Sequence, residues 1–318
     1  MSQGNLSVAV VAGGIGGLAA ALSLQRVGFD VQVFEQAVAL GEIGAGIQIT
    51  PNASRVLHRL GLAEALDRTG VRPVAAHRRR WDDGRTLQRL PLGETVEAAF
   101  GPPYYHFHRA DLLKVLAGAL PSNRVHLGHR LTQFIDDGDR VELQFANGTR
   151  IAVDVLVGAD GIHSTVRGAL FGPERPRFTG CIACRGLVPC KRLAHLGLEV
   201  VSSSWVGPGG HVVHYFVAGG QLVNFVAVKE RETWTRESWT DHGEVSDALA
   251  AFQGWHPQVH AFIGAVDETF IWALFDRAPL EHWSIGRVTL LGDACQAMLP
   301  FMAQGAAQAI EDGTPRPV

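Results

Sequence analysis

The sequence predicts an α/β fold in which a Rossmann-like parallel sheet carries a separate, inserted antiparallel sheet domain. Residues 8–19, 156–161 and 289–294 each consist of an apolar run followed by glycine, and the last two segments continue with aspartate. A buried strand that ends in a tight glycine turn has this pattern. Because the three segments are spread over nearly the whole chain, they predict a parallel sheet whose strands are distant in sequence.

A βαβ unit is predicted at the start of the chain, with a strand at residues 6–11, a helix at 16–27 and a second strand at 31–35. Gly28 ends the predicted helix. Further along, the patterns predict helices at 53–60 and 109–120, alternating strands over 125–157 with hairpin turns at 137–139 and 147–148, and a helical segment over 245–262 that is interrupted before Pro257.

The inserted domain is indicated by a change of pattern after residue 178. Residues 178–228 read as strands joined by glycine-rich turns, which is typical of an antiparallel sheet of its own. The chain then returns to a buried strand at 288–291. We therefore assign residues 1–75, 100–175 and 270–318 to the parallel-sheet domain, and residues 76–99 and 176–269 to the inserted domain.

Composition excludes several classes of protein. Of 318 residues, 47% are hydrophobic and 19% are charged, which indicates a globular chain rather than a disordered one. The net charge of −3 gives no reason to expect nucleic acid or an anionic membrane as a partner. Five arginines around a turn are interpreted as a solvated strand face: Arg78, Arg79, Arg80, Arg85 and Arg89.

The N-terminus lacks the features of a signal peptide, and no apolar run reaches transmembrane length, so the expected location is cytoplasmic. In that reducing setting, four cysteines could suggest a metal site. Cys181 and Cys184 lie in a predicted strand, however, and residues three apart point to opposite faces of a strand. We expect structural thiols and no metal.

The first glycine turn has the features of a dinucleotide site. Gly14 allows close backbone approach of a diphosphate, and Gly17 allows close packing of helix against strand, whereas Ala12 occupies the position of the first glycine. The helix N-terminus offers unpaired N–H groups to the diphosphate. Glu35 ends the second strand, where a carboxylate accepts hydrogen bonds from ribose hydroxyls.

The two later turns each place an aspartate after a buried strand. Asp160 and Asp293 could accept hydrogen bonds from the hydroxyls of a ligand at the carboxyl ends of the strands. Capping of the helices that follow is the alternative. These roles are compatible, and the sequence favours ligand contact more strongly for Asp293 than for Asp160.

With these residues in view, the chain resembles the single-component FAD-dependent aromatic hydroxylases of the para-hydroxybenzoate hydroxylase superfamily. Within it, the resemblance is greatest to salicylate hydroxylase, 3-hydroxybenzoate 6-hydroxylase and 6-hydroxynicotinate 3-monooxygenase. It extends from Val8 to about Asp312 and is carried by residues 41–52, 108–112, 157–167, 211–215 and 291–295.

The resemblance implies a role for each matching cofactor residue. Gly14, Gly17 and Glu35 would hold the adenosine and diphosphate of FAD. Arg109 would lie beside the junction of ribityl chain and flavin, although a surface ion pair with Asp111 is an alternative. The remaining cofactor contacts would be Asp160, in a segment that also serves the nicotinamide cofactor, Asp293 on the ribityl chain, and Gly305 with Ala306 at the edge of the flavin ring.

The implied chemistry is reduction of the flavin by NADH or NADPH, addition of O2 to give a flavin C4a-hydroperoxide, and transfer of oxygen to a small phenolic aromatic such as a hydroxybenzoate or hydroxypyridine carboxylate. His211 matches a histidine that serves some relatives as a base for the phenol, and a polar surface histidine is the alternative. Gln48 matches a position that faces the substrate, and Pro300 resembles the residue of the salicylate and 6-hydroxynicotinate type. Along the predicted strand, Tyr215 shares the face of His211 and is expected to line the substrate pocket, whereas His214 faces the opposite way. A homodimer is compatible with the resemblance, and the sequence does not decide the oligomeric state.

Some residues depart from the family pattern. Gln296 and Phe301 replace histidines that are usual in relatives, and residues 313–318 cannot continue the final helix because two of them are proline. The chain therefore reads as truncated, and an impaired flavin-binding fragment is the alternative hypothesis. A nicotinamide-dependent dehydrogenase is a further alternative, although such an enzyme has no use for the later glycine–aspartate turn.

Overall fold

The computed structural model describes residues 6–41, 45–232 and 242–314. The helices are α1 (Ile15–Arg26), α2 (Pro51–Arg59), α3 (Ala63–Thr69), α4 (Glu94–Phe100), α5 (Arg109–Gly118), α6 (Thr165–Phe171), α7 (Val245–Ala251), α8 (Pro257–Gly264), α9 (Asp293–Gln296) and α10 (Gly305–Asp312). Short 3₁₀ turns occupy Ser122–Arg124, Cys190–Leu196, Ala218–Gly220 and Pro300–Met302.

The strands, in chain order, are β1 (Ser7–Val11), β2 (Asp30–Phe34), β3 (Gly46–Ile49), β4 (Ala75–Arg80), β5 (Thr86–Pro91), β6 (Tyr105–His108), β7 (Val125–His126), β8 (Leu131–Asp136), β9 (Val141–Phe145), β10 (Arg150–Val153), β11 (Val155–Gly158), β12 (Arg177–Pro189), β13 (Ser202–Gly207), β14 (Gly210–Val217), β15 (Leu222–Glu230), β16 (His242–Gly243), β17 (Thr269–Asp276), β18 (Ser284–Ile285) and β19 (Val288–Leu290).

The predicted parallel sheet is present, with strand order β18-β19-β11-β1-β2-β7. Its pairs are parallel except β18 with β19. The three apolar runs of the sequence form its central strands β1, β11 and β19. The glycine turns that follow them are far apart in the chain but lie together at the carboxyl ends of these strands. Because β2 and β11 add to opposite sides of β1, the turn after β1 lies at the topological switch point, where ligands bind in such sheets.

The turn between β1 and α1 requires small residues at Ala12 and Gly17. Ala12 has a φ of +88°, a conformation that glycine adopts more readily. A Cβ added to Gly17 would lie 2.1 Å from the carbonyl oxygen of Ala12. Gly17 therefore allows α1 to pack directly on β1, as the sequence predicted.

Substitution of Gly17 by alanine is expected to lower the free energy of unfolding by about 1–3 kcal/mol, because the helix must move away from the strand. Gly168→Ala is the matched control, since Gly168 lies inside α6 with no atom within 4 Å of the added Cβ. There alanine should be neutral or stabilising by about 0.5–1 kcal/mol. Urea unfolding of both variants measures the difference, and equal effects would contradict the close packing.

The second large sheet has strand order β16-β17-β12-β15-β14-β13-β4-β5. It differs from the prediction in two respects. The pair β13–β4 is parallel, so the sheet is mixed rather than purely antiparallel. The strand β17 pairs with β12, although the predicted boundary placed residues from 270 onward in the other domain. The apolar pattern of β17 does not reveal which of two sheets it joins. The division into two domains stays a prediction.

The arginine-rich hairpin β4–β5 corrects one expectation. Arg78 and Arg80 are exposed, whereas Arg79 packs under the sheet with its guanidinium 4.9 Å from the ring centroid of Trp205. Its Nη1 donates to Oε1 of Gln258 at 2.8 Å. Successive strand residues alternate between faces, so this arginine belongs to the covered face and the solvated-face interpretation was wrong for it.

The cysteines lie where structural thiols are expected. Cys181 and Cys184 are on β12, with the second buried. Burial raises the pKa of Cys184 to about 11 and that of Cys295 to about 12, so both stay as thiols. Within the described ranges, no three His, Cys, Asp or Glu side chains are arranged to hold a metal ion, and no helix has the length and apolar character to cross a membrane.

Two buried histidines are expected to make the folded protein less stable at acidic pH. His106 and His214 are 1% and 4% exposed, and burial lowers the pKa of each to about 3. They stay neutral in the folded protein, whereas the unfolded chain takes up protons near pH 6.5. The free energy of unfolding is therefore at its full value above this pH and decreases as the pH falls below it, by about 2 kcal/mol per histidine at pH 5.

The free energy of unfolding in urea, measured from pH 8 to pH 5, tests this expectation. His214→Gln should reduce the slope of the free energy of unfolding against pH by the equivalent of about one bound proton, because one buried titrating group is removed. His195→Gln, at an exposed position, should leave the slope as it is. A slope that is identical in the wild type and His214→Gln would contradict the expectation.

Candidate active site

A cavity of about 410 Å³ lies at the carboxyl ends of β1, β11 and β19, between the parallel sheet and the eight-stranded sheet. We call it the central cavity. One wall is formed by the turns that follow the three strands, including Gly14, Gly161 and Gly292, and the opposite wall by β14, β15 and β17. Its volume is within the range of small-molecule and cofactor sites, about 300–1,000 Å³.

Most of the predicted site residues meet there. The structure places these along the wall of the central cavity: Gly14, Gln48, Arg109, His211, Tyr215, Asp293, Pro300, Gly305 and Ala306. They are spread along the chain from residue 14 to residue 306, and Gly161 of the second glycine turn lines the same cavity, so the three glycine turns and β14 converge there. Gly17, Glu35 and Asp160 lie outside the cavity wall.

Glu35 holds the first turn in place. Its Oε2 accepts a hydrogen bond from the backbone N–H of Gly13 at 2.6 Å, and Oε1 accepts one from that of Ala37 at 2.8 Å. Each carboxylate oxygen has a further lone pair, so contact with ribose hydroxyls is compatible with these bonds and stays a prediction.

Asp160 is used as a helix cap. Its carboxylate accepts hydrogen bonds from the N–H groups of Thr165 and Val166, at 2.8 and 3.2 Å, and from the hydroxyl of Ser164 at 2.5 Å. Burial raises the pKa of Asp160, and these hydrogen bonds oppose the increase. The structure thus shows the capping role, while its neighbours Ala159 and Gly161 line the central cavity.

Asp293 begins α9 directly after Gly292, whose φ is +60°, and its side chain faces the central cavity. It is solvent-accessible through the cavity but surrounded by protein, and this burial raises its pKa while the Arg109 guanidinium opposes the increase. The turn is tied to α10, because Asp312 accepts hydrogen bonds from the N–H of Gly292 at 3.0 Å and from Nε2 of Gln296 at 2.6 Å.

The donor set of the parallel-sheet side suits a flavin dinucleotide. Space is open around Gly14 where a Cβ would stand, so a diphosphate can approach the backbone. The first N–H groups of α1 have no partners within the helix and carry its positive dipole end. Asp293 offers an acceptor for ribityl hydroxyls, and Gly305 and Ala306 present the N-terminus of α10.

The other side of the central cavity is formed by β14. His211, Val213 and Tyr215 face the cavity, whereas His214 points to the opposite face and accepts a hydrogen bond from Nε1 of Trp205 at 3.2 Å. This alternation confirms the predicted strand. Burial lowers the pKa of His211, so its imidazole is neutral at pH 7.

The sequence pattern did not assign three further residues to the cavity wall or to contacts with the residues that line it. Tyr104 donates a hydrogen bond to Oε1 of Gln48 and so orients that amide. Phe301 packs edge-on against His211, with ring centroids 5.2 Å apart. Arg185 lines the cavity with its guanidinium 4.3 Å from the ring centroid of Trp272. The alternation of β12 could have indicated that Arg185 and Cys184 face opposite ways, but not which of them meets the cavity.

Comparison with known proteins decides the family. The model of the FAD-binding-domain family matches residues 5–315. The chain belongs to this family. It is 46% identical over 312 residues to a 3-amino-4-hydroxybenzoate 2-monooxygenase of Streptomyces platensis, covering 98% of this chain and 78% of the relative. It is 38% identical over 312 residues to the 6-hydroxynicotinate 3-monooxygenase of Bordetella bronchiseptica, covering 98% and 81%.

Solved structures agree with this assignment. The chain superimposes on Klebsiella pneumoniae HpxO, solved with FAD and uric acid, with a TM-score of 0.87 at 29% identity, covering 98% of this chain and 78% of that one. For a salicylate hydroxylase substrate complex the TM-score is 0.81 at 29% identity, with the same coverage. This family member is an FAD-dependent flavoprotein monooxygenase of the aromatic hydroxylase type, as the sequence resemblance implied.

Proposed function

We propose that this flavoprotein hydroxylates a small aromatic ring that carries a phenolic hydroxyl and a carboxylate, with NADH or NADPH as the reductant and O2 as the oxygen source. Its substrates would be hydroxybenzoates, aminohydroxybenzoates or hydroxypyridine carboxylates, the compounds in the names of its relatives. The observation that carries the proposal is that one cavity joins the Asp293 turn to His211 and Tyr215.

The chain would hold FAD along the parallel-sheet wall. Gly14 and the N-terminus of α1 would receive the diphosphate, Asp293 the ribityl hydroxyls, and Gly305 and Ala306 the edge of the flavin ring. Bound FAD supplies the electron transfer from the nicotinamide and the activation of O2. The N-terminus of α10 would stabilise negative charge on the reduced ring.

His211 would act on the substrate. A phenolate is more nucleophilic than a phenol, so removal of the hydroxyl proton prepares the ring to accept an electrophilic oxygen. His211 can accept this proton because burial keeps its imidazole neutral at pH 7. The aliphatic side chains of Val213, Val226 and Val228 form an apolar wall beside it, and this wall excludes water from the reacting atoms.

Two measurements test the proposal. Purified protein should be yellow or become yellow with added FAD, and it should oxidise NADH or NADPH faster when a phenolic acid is present. We would compare 3-amino-4-hydroxybenzoate, salicylate and 6-hydroxynicotinate, and identify the hydroxylated product by mass spectrometry. A protein that binds FAD but forms no hydroxylated product from any phenolic acid would contradict the substrate class.

The impaired-fragment alternative is not favoured. The family match spans nearly the whole chain, and the residues of both cavity walls are in place. The dehydrogenase alternative is inconsistent with family membership, since the comparisons are with monooxygenases and hydroxylases.

A further inference from the structure

A cluster of two buried arginines and one glutamate lies behind the central cavity. Arg277 directly follows β17, Arg167 lies in α6, and Glu174 follows α6. The side chains of Arg277 and Arg167 are 6% and 4% exposed, and that of Glu174 is 40% exposed. We call these three residues the arginine clamp.

Arg277 holds the backbone that follows β11. Its Nε and Nη2 both donate to the carbonyl oxygen of Ile162, at 2.8 and 2.6 Å. Its Nη1 donates to the carbonyl oxygen of Glu174 at 3.0 Å. Since Arg277 follows the last residue of β17 in the eight-stranded sheet and Ile162 lies in the turn after β11 of the parallel sheet, this side chain joins the two walls of the cavity.

Arg167 extends the same contacts to the Asp293 turn. Its Nη1 lies 3.3 Å from the carbonyl oxygen of Ala294 and 3.4 Å from that of Cys295. Its Nη2 donates to Oε2 of Glu174 at 2.5 Å, and Arg277 reaches the same oxygen at 3.4 Å. The clamp therefore reaches both of the later glycine–aspartate turns.

The charges of the clamp are balanced by one carboxylate and several carbonyls. The hydrogen bond from Arg167 lowers the pKa of Glu174, and the charge of Arg277 lowers it further. Among the described residues, Glu174 is the one carboxylate paired with these two guanidinium groups, and backbone carbonyl dipoles solvate the remaining positive charge. Burying such a group is costly, and an apolar side chain could fill the same volume at lower cost. Packing alone does not account for this arrangement.

The direction of the Ile162 carbonyl has a consequence inside the cavity. The C=O and N–H of a trans peptide point in opposite directions, so a carbonyl fixed toward Arg277 places the N–H of His163 on the other side. Gly161, Ile162 and His163 all line the central cavity. The orientation of this wall segment thus depends on a residue that lines no part of the cavity itself.

We propose that Arg277 is a positioning residue for FAD. It fixes residues 161–163 in the conformation that accepts the cofactor, and Glu174 and Arg167 transmit the same constraint to the Asp293 turn. Arg277 does not contact the cofactor, and its effect passes through the backbone of Ile162.

The experiment is a fluorescence titration of apoprotein with FAD, combined with the visible absorption spectrum of the bound flavin. Arg277→Gln should weaken FAD binding by about tenfold or more, as expected for loss of hydrogen bonds to a charged group. The flavin bands should shift, because the wall beside the cofactor is displaced. Arg277→Lys keeps the charge but cannot hold Ile162 and Glu174 together, so its affinity should be intermediate.

Arg192→Gln is the matched control. Arg192 also donates to a backbone carbonyl, that of Ala265 at 2.8 Å, and forms an ion pair with Asp267, but it is half-exposed and lines no part of the central cavity. Its FAD affinity should equal that of the wild type. Millimolar guanidinium, below denaturing concentration, should occupy the vacated site in Arg277→Ala and restore part of its FAD affinity and flavin spectrum, while leaving those of the wild type unchanged.

The outcome that overturns the proposal is FAD affinity within twofold of the wild type, with an unchanged flavin spectrum, in folded Arg277→Gln. If Arg277→Gln does not fold, the FAD affinity and the flavin spectrum of Arg277→Lys are judged by the same two criteria. A variant that melts at lower temperature yet binds FAD normally would show that the clamp serves only the fold.

Discussion

Replacement of Asp293 by alanine is expected to weaken FAD binding by about 10- to 150-fold, which corresponds to ~1.5–3 kcal/mol for a hydrogen bond to a charged group. The carboxylate faces the central cavity beside the parallel-sheet wall, and no other carboxylate lines that cavity in the part of the chain described by the structure. Fluorescence titration of the apoprotein with FAD gives the dissociation constant. The purified variant should lose its yellow colour on dialysis.

The same substitution should not destabilise the apoprotein. Burial raises the pKa of Asp293 in the folded state, so ionisation of this carboxyl at neutral pH is less favourable in the folded protein than in the unfolded chain. The ionised carboxylate therefore lowers the free energy of unfolding of the apoprotein, and its removal relieves that cost. Apo Asp293→Ala should therefore melt at the same temperature as the wild type or higher. Asp267→Asn, an exposed partner of Arg192, is the control and should bind FAD normally. Wild-type FAD affinity in Asp293→Ala would refute a cofactor role for this carboxylate.

Replacement of His211 by asparagine is expected to lower the rate of hydroxylation by about 10²–10⁴-fold, the usual contribution of a positioned general base. FAD affinity should be unchanged, because His211 lies on the β14 wall rather than among the glycine turns. Steady-state kinetics with the best phenolic acid, together with the FAD titration, separates the two effects.

The pH profile gives a second measure of the role of His211. Burial lowers its pKa from the ordinary value of 6.5, and the base form exists above the lowered pKa. We expect kcat/KM of the wild type to fall only below pH 6.5, and this acidic limb to disappear in His211→Asn. His195→Asn, at an exposed position, should keep both the rate and the limb. Retention of the limb in His211→Asn would assign it to another group.

Much of the parallel-sheet side could be predicted from the sequence because its signals are local. Gly17 must be small wherever a helix packs on the strand before it, and the structure shows the predicted contact with the carbonyl of Ala12. The alternation along β14 fixed which of His211 and His214 shares a face with Tyr215. Such patterns depend on the period of a strand or the turn after it, and neighbours in the sequence suffice to determine them.

The orientation of charged side chains was decided by partners distant in the chain. The sequence gives no sign that Arg79 packs on Trp205. For Asp160 and Asp293 it offers both helix capping and ligand contact, because each follows a buried strand and precedes a helix. The positions of the elements around each turn decide that Asp160 caps α6 and that Asp293 lies at the cavity wall.

The sequence by itself determined that three strands end in bare glycine turns, that a strand carries His211 and Tyr215 on one face, and that the motifs together are those of an FAD-dependent hydroxylase. The tertiary structure decided that β17 belongs to the eight-stranded sheet, that Arg277 reaches from this sheet to Ile162, and that both walls enclose one cavity. The reason is physical. Backbone conformation and strand period are set by adjacent residues, whereas the burial and pairing of a charge depend on elements that meet only when the chain has folded.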